Sequence, residues 1–188
     1  MKMPQIKVLI KSDLYRYTGS KTNKNFFPLL FGNNFFRFQV YLRMAKSSNL
    51  FLSLVFRLLK AWLGKRVNVQ LNYKVPIGYG LYIPHGNVVI NSKSVIGNNC
   101  SLLQFVSIGA VHGRKSATIG DNVYIGPNTS IVGAISIGDN CVIGAGTVVL
   151  ANMDPNKVVV GSPGREVKTV TNINDYNDNL CDGSWLGQ

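Results

Sequence analysis

An aliphatic side chain returns every six residues along most of this chain. The series runs Leu71, Ile77, Ile83, then Ile90, Ile96, Leu102, Ile108, then Ile119, Ile125, Ile131, Ile137, Ile143 and Val149. Glycine commonly follows, as in IGYG, IGNN, IGDN, IGPN and IGAG, and a modest side chain such as Cys100, Thr129 or Cys141 comes four positions later. A period of six matches neither the 3.6 of a helix nor the 2 of a strand. It fits a prism-shaped coil in which each flat face is one hexapeptide. The aliphatic residue points inward and the glycine permits the corner. Such coils cannot bury their apolar faces alone and must stack. The expected fold is therefore mainly β, a parallel β-helix.

Two steps depart from six, and an insertion in a solenoid becomes a loop. Between Ile83 and Ile90 one residue is added, beside Pro84-His85-Gly86-Asn87. Between Ile108 and Ile119 five are added, within residues 110–117. The two histidines of the chain, His85 and His112, sit at these two irregularities. Irregular loops on a rigid scaffold are where chemistry concentrates, so both are candidate functional residues. Two separated histidines without an acid cluster do not make a ligand set, and no metal is expected.

Three segments follow from the pattern. Residues 1–64 read as helical and aromatic-rich, broken near Gly32-Asn33-Asn34 and Ser47-Ser48-Asn49. Residues 65–168 hold the repeat, and residues 169–188 read as a loosely held polar tail. The charge is uneven: residues 1–74 carry 14 Lys/Arg and one acid, Asp13, against 6 Lys/Arg and 7 acids in the remainder. A basic patch of this kind attracts anions, including an anionic membrane surface. Nucleic acid is not expected, because no zinc-finger, helix-turn-helix or RNP pattern accompanies the charge. The three cysteines have no disulfide-scaffold spacing. The N-terminus lacks a signal-peptide order, and residues 50–63 are too short and too charged to span a bilayer. The expected location is the cytoplasm, with peripheral contact at the inner membrane surface as an option.

The hexads resemble those of bacterial hexapeptide-repeat acyltransferases, whose β-helix is left-handed. Within that superfamily the chain resembles serine acetyltransferases and their relatives in polysaccharide gene clusters. The resemblance is carried by Ser12-Asp13-Leu14, the Phe36-to-Arg43 stretch, Ile77 through Gly86 with its Ile-Pro-His-Gly, Ser101 through Gly109, and Val158 through Arg165. It implies acetyl-CoA as co-substrate, a homotrimer with sites between adjacent β-helices, and His85 as the general base. A neutral imidazole suits that role, since it can take a hydroxyl proton as the oxygen attacks a thioester. For CoA the matching positions are Pro127, Ala145, Arg165 and Lys168. His112 falls in the loop that leans over the cleft, where it would bind acceptor or steer the pantetheine arm.

Departures from the serine enzymes matter as much. The carboxylates that orient the histidine and hold the serine amino group read here as Gln70 and Pro84, and a further family histidine aligns with Ser116. Of the acceptor-binding acids only Asp13 is expected to be retained, to bind an acceptor hydroxyl or to cap its helix. Gln70 or a main-chain carbonyl would then orient His85. Lost polar partners weaken recognition of free serine. The expected acceptor is a hydroxyl of a surface polysaccharide or its sugar precursor. Serine O-acetylation and a non-catalytic β-helix scaffold are the rivals. A metal-dependent hydratase on this fold would need three histidines.

Overall fold

The computed structural model describes residues 1–111 and 115–184. From Val69 onward the chain is a left-handed β-helix with three parallel faces. One face holds β1 (Val69–Leu71), β2 (Val88–Ile90), β5 (Ser107–Gly109), β8 (Ser130–Val132) and β11 (Val148–Val149). A second holds β3 (Val95–Ile96), β6 (Thr118–Ile119) and β9 (Ser136–Ile137). The third holds β4 (Ser101–Leu102), β7 (Tyr124–Ile125), β10 (Val142–Ile143) and β12 (Lys157–Val160), with β13 (Arg165–Thr169) returning antiparallel at its edge. Every hexad residue from Leu71 to Val149 is buried.

Register reports the two insertions directly. Tyr124 pairs with Val142, eighteen residues on, as three hexads require. Ser101 pairs with Tyr124 and Val95 with Thr118, twenty-three apart, so five residues leave the coil between them. Val69 pairs with Val88, nineteen apart, which places one extra residue in the coil of His85.

The corners explain the asparagines. Asn99, Asn122, Asn140 and Asn156 all take left-handed φ of 53–61°, a conformation that asparagine tolerates better than most residues. They stack as a ladder, each Nδ2 donating to the next Oδ1 at 2.9, 2.9 and 3.0 Å. At another corner the left-handed residues are Asn87, Phe105, Asn128 and Gly146. His85, Pro127 and Ala145 lie along that edge, two or one residues before these turns.

Four helices cap the first coil: α1 (Met3–Thr18), α2 (Phe26–Gly32), α3 (Asn34–Met44) and α4 (Leu50–Val67). The sequence breaks at Asn33 and Asn49 are N-caps, whose side chains accept from Phe35 and Phe36 N–H and from Leu52 N–H. Among the described residues no helix is long and apolar enough to cross a membrane. All three cysteines are buried and unpaired; burial pushes the Cys100 and Cys181 thiols up to about 12.

The tail from Val170 to Cys181 is not loose, contrary to the sequence expectation. Val170, Ile173 and Tyr176 pack on Val142, Val158 and Tyr124. Asn177 is buried and donates to the carbonyls of Asn99 and Asn122. Cys181 exchanges main-chain hydrogen bonds with the side chain of Asn99, at 3.0 and 2.8 Å. A polar composition concealed a strap, because asparagines that bridge coils look the same in sequence as asparagines in solvent.

Candidate active site

The segment leading to His85 is held by side chains rather than by strands. It belongs to the first coil, which on one side has no earlier coil to complete its hydrogen bonds. Ser12 Oγ and Asp13 Oδ1 accept from Gly80 and Leu81 N–H at 2.9 and 2.8 Å. Gln39 Nε2 donates to Leu81 O at 2.7 Å, while its Oε1 accepts from Ile83 N–H at 3.0 Å. The Tyr17 hydroxyl lies 2.7 Å from Ile83 O and 2.8 Å from Gln39 Oε1. Arg43 donates to the carbonyls of Ile77 and Gly78 at 3.1 and 2.7 Å. The cap thus splints Ile77–Ile83, and the chain emerges at Pro84-His85.

This arrangement corrects the role expected of Asp13. Its carboxylate is 1% exposed and accepts from Arg43 Nε and Nη2, both at 2.9 Å. Burial pushes the Asp13 carboxyl up, and the Arg43 charge opposes that. An acid committed to a buried pair and to Leu81 N–H is not available to an acceptor.

His85 is exposed at the corner. Among the described residues no hydrogen bond holds its ring, which meets Phe35 edge-on with centroids 6.3 Å apart. Glycine follows it for a steric reason. A Cβ at position 86 would come within 2.0 Å of the Val67 carbonyl oxygen, where α4 ends against this loop.

His85 opens onto a cleft of about 370 Å³. Tyr17, Tyr82 and Tyr124 line it together with Pro84, Leu103 and Ser101. The strap adds Tyr176, Asn177, Asp178 and Asn179 to the lining, and α1 adds Arg16. Tyr17 and Tyr82 meet edge-on at 4.8 Å, and the Arg16 guanidinium lies 5.7 Å from the Tyr82 ring centre.

The structure gathers some expected site residues and separates others. Pro127 and Ala145 stack on one another, with Gly146 N–H donating to Pro127 O at 2.8 Å. They continue the edge on which His85 stands. Arg165 and Lys168 are exposed on β13, and Lys168 Nζ sits 5.5 Å from the ring centre of Tyr176, in the cleft wall. The Tyr176 hydroxyl holds the Lys168 ammonium above its ordinary value. Gln70 lines a separate recess with Lys60 and Lys65, and among the described residues no hydrogen bond joins it to His85. Ser116 is buried and accepts from Ser94 Oγ at 2.9 Å, a corner contact inside the coil. His112 lies outside the described residues.

Sequence reading missed the splint and the strap. It also missed Phe105, 54% exposed with a φ of 61° on the His85 edge. A bulky residue in that conformation is strained. The available signal was an aromatic residue at a corner where the other coils place asparagine or glycine.

Comparison with known proteins bears on what this edge does. The model of the bacterial transferase hexapeptide (six repeats) family matches residues 116–151. A serine acetyltransferase of Synechococcus elongatus is 35% identical over 103 residues, which are 53% of this chain and 42% of that protein. The chain spans less than half the length of the curated relatives it matches. Among solved structures, the Neisseria gonorrhoeae serine acetyltransferase superposes with a TM-score of 0.76 at 28% identity, covering 93% of this chain and 71% of that one. The soybean serine acetyltransferase apoenzyme reaches a TM-score of 0.70 at 31% identity, covering 87% of this chain and 69% of that one.

The chain belongs to the serine acetyltransferase family. In this chain Pro84 directly precedes the histidine, and Tyr17, Tyr82 and Tyr124 belong to the cleft lining. Among the described residues no group of three His, Cys, Asp or Glu side chains could hold a metal ion.

Proposed function

We propose that this protein is an acetyl-CoA-dependent O-acetyltransferase with His85 as the general base. The observation that carries the reading is the shared edge: an exposed imidazole beside a cleft, on the corner that continues through Pro127 and Ala145. His85 takes the proton of the acceptor hydroxyl as that oxygen attacks the thioester carbonyl. The imidazolium then returns the proton to the departing CoA sulfur. Arg165 and Lys168, past the last coil, would meet the phosphates. Three copies would place each cleft between adjacent β-helices, a reading supported by Val89, Val95 and Phe105, which are exposed on the coils. Exposed Leu54, Leu58 and Trp62 on α4, beside Lys65 and Arg66, support contact of the cap with an anionic bilayer.

Serine is the acceptor that the names of the relatives support. A sugar hydroxyl is a second reading, favoured by the tyrosine-lined cleft and by Pro84, Gln70 and Ser116 at the positions of the family's polar partners. CoA release from acetyl-CoA, with serine and a panel of bacterial polysaccharides as acceptors, separates the two. His85→Ala should lower that release by about 10²–10⁴-fold without shifting thermal unfolding. Retention of more than a few per cent of activity would remove His85 from the role of base.

A further inference from the structure

Arg16 is a buried cation for which no anion forms a salt bridge among the described residues. It is 3% exposed, yet it lines the His85 cleft. Its guanidinium donates to Asn99 O at 3.3 Å, to Ser101 Oγ at 2.7 Å and to Asn177 Oδ1, all neutral groups. Its Nε is buried without a hydrogen-bond partner among the described residues. Asp13, one turn earlier on α1, is committed to Arg43. Asp178 lies in the same cleft lining, but among the described residues Arg16 forms no salt bridge. Burial lowers the Arg16 pKa from its ordinary value, though a guanidinium stays charged at neutral pH.

We propose that Arg16 anchors a carboxylate on the acceptor, so that the cleft selects hydroxyl compounds that also carry an acid group. Removing a charge from water is costly unless it is paired, and a single carboxylate would complete this site. The tyrosines around it exclude water and strengthen the pairing. The inference rests on the acetyltransferase reading and narrows its acceptor. Two sources share the chemistry: the α-carboxylate of serine and the carboxylate of an acidic sugar such as a hexuronate.

The test compares each acid with its neutral counterpart on the full chain: serine with serinamide, and glucuronate with glucose, by CoA release from acetyl-CoA. The wild-type protein should prefer one of the acids over its neutral partner by at least about tenfold in kcat/KM, and which acid is preferred identifies the source. Arg16→Gln should erase most of that preference, and Arg16→Lys should restore part of it. Equal use of acids and neutral analogues by the wild type overturns the proposal, even if the variants fail to fold. An Arg16→Gln variant that loses acid and neutral acceptors alike also overturns it, and leaves Arg16 as a tie between α1 and the strap. Calorimetric titration with serine and with glucuronate reads the anchor without turnover. Binding to wild type but not to Arg16→Gln supports it even where no CoA is released, an outcome that would sink the acetyltransferase reading instead.

Discussion

Coil upon coil, the β-helix satisfies its polar groups by repetition, whereas the helical cap satisfies those of the first coil with particular side chains. In the coils each main-chain group meets its equivalent one coil on, eighteen residues away where no residue is inserted, and the asparagine ladder links the corners in the same way. A lost rung leaves its neighbours in place, because each repeat touches only the next. The cap works without repetition. Ser12, Asp13, Tyr17, Gln39 and Arg43 each hold a different atom of Ile77–Gly80 or Leu81–Ile83. Order in the first coil therefore depends on single residues, and that coil carries His85.

If this contrast is right, the largest stability loss should come from the cap. Asp13→Ala leaves Arg43 charged, buried and unpaired, and leaves Leu81 N–H without its acceptor. A loss of about 3–5 kcal/mol is expected from such a break, read as a shift in the urea midpoint. A loss below about 1 kcal/mol would mean that Arg43 and Gln39 hold the segment without it, and the contrast would fail.

The ladder should respond less. Asn122→Ala removes a donor and an acceptor in the middle rung and puts alanine at a left-handed φ of 58°. About 2 kcal/mol is expected, with the three-face β signature in circular dichroism retained. A loss equal to that of Asp13→Ala would show the coils to be as dependent on individual residues as the cap.

The smallest effect should have the opposite sign. Phe105→Asn relieves a strained turn and restores the residue that Asn87 and Asn128 supply at the same corner. A gain of about 1 kcal/mol is expected, or about 2–4 °C in Tm for a chain of this size. A decrease would show that the exposed ring packs against something in the assembled protein.

What was legible in the sequence divides along the same line. Ile83, Leu102, Ile125 and Ile131 could be placed inside because the period repeats the same local instruction at each turn. The one-residue and five-residue insertions, and the edge position of His85, Pro127 and Ala145, follow from counting along that period. Asp13 could not be read this way. Its partner lies thirty residues away on another helix, and nothing periodic connects them. One clue was present: a lone acid among 14 Lys/Arg in residues 1–74 more readily marks a buried pair than a binding group. The strap was less legible still, since Asn177 meets Arg16 across 161 residues.

That last contact bears on how the molecule is made. The cleft lining joins Asn177 to Arg16, which precedes it by 161 residues. A nascent chain can wind its coils behind the cap as they appear, yet the cleft beside His85 lacks Tyr176 to Asn179 until the strap has crossed back to α1. The complete cleft should therefore arrive late and in one step, after the scaffold is already stable, so that partly made chains hold His85 without the full pocket beside it.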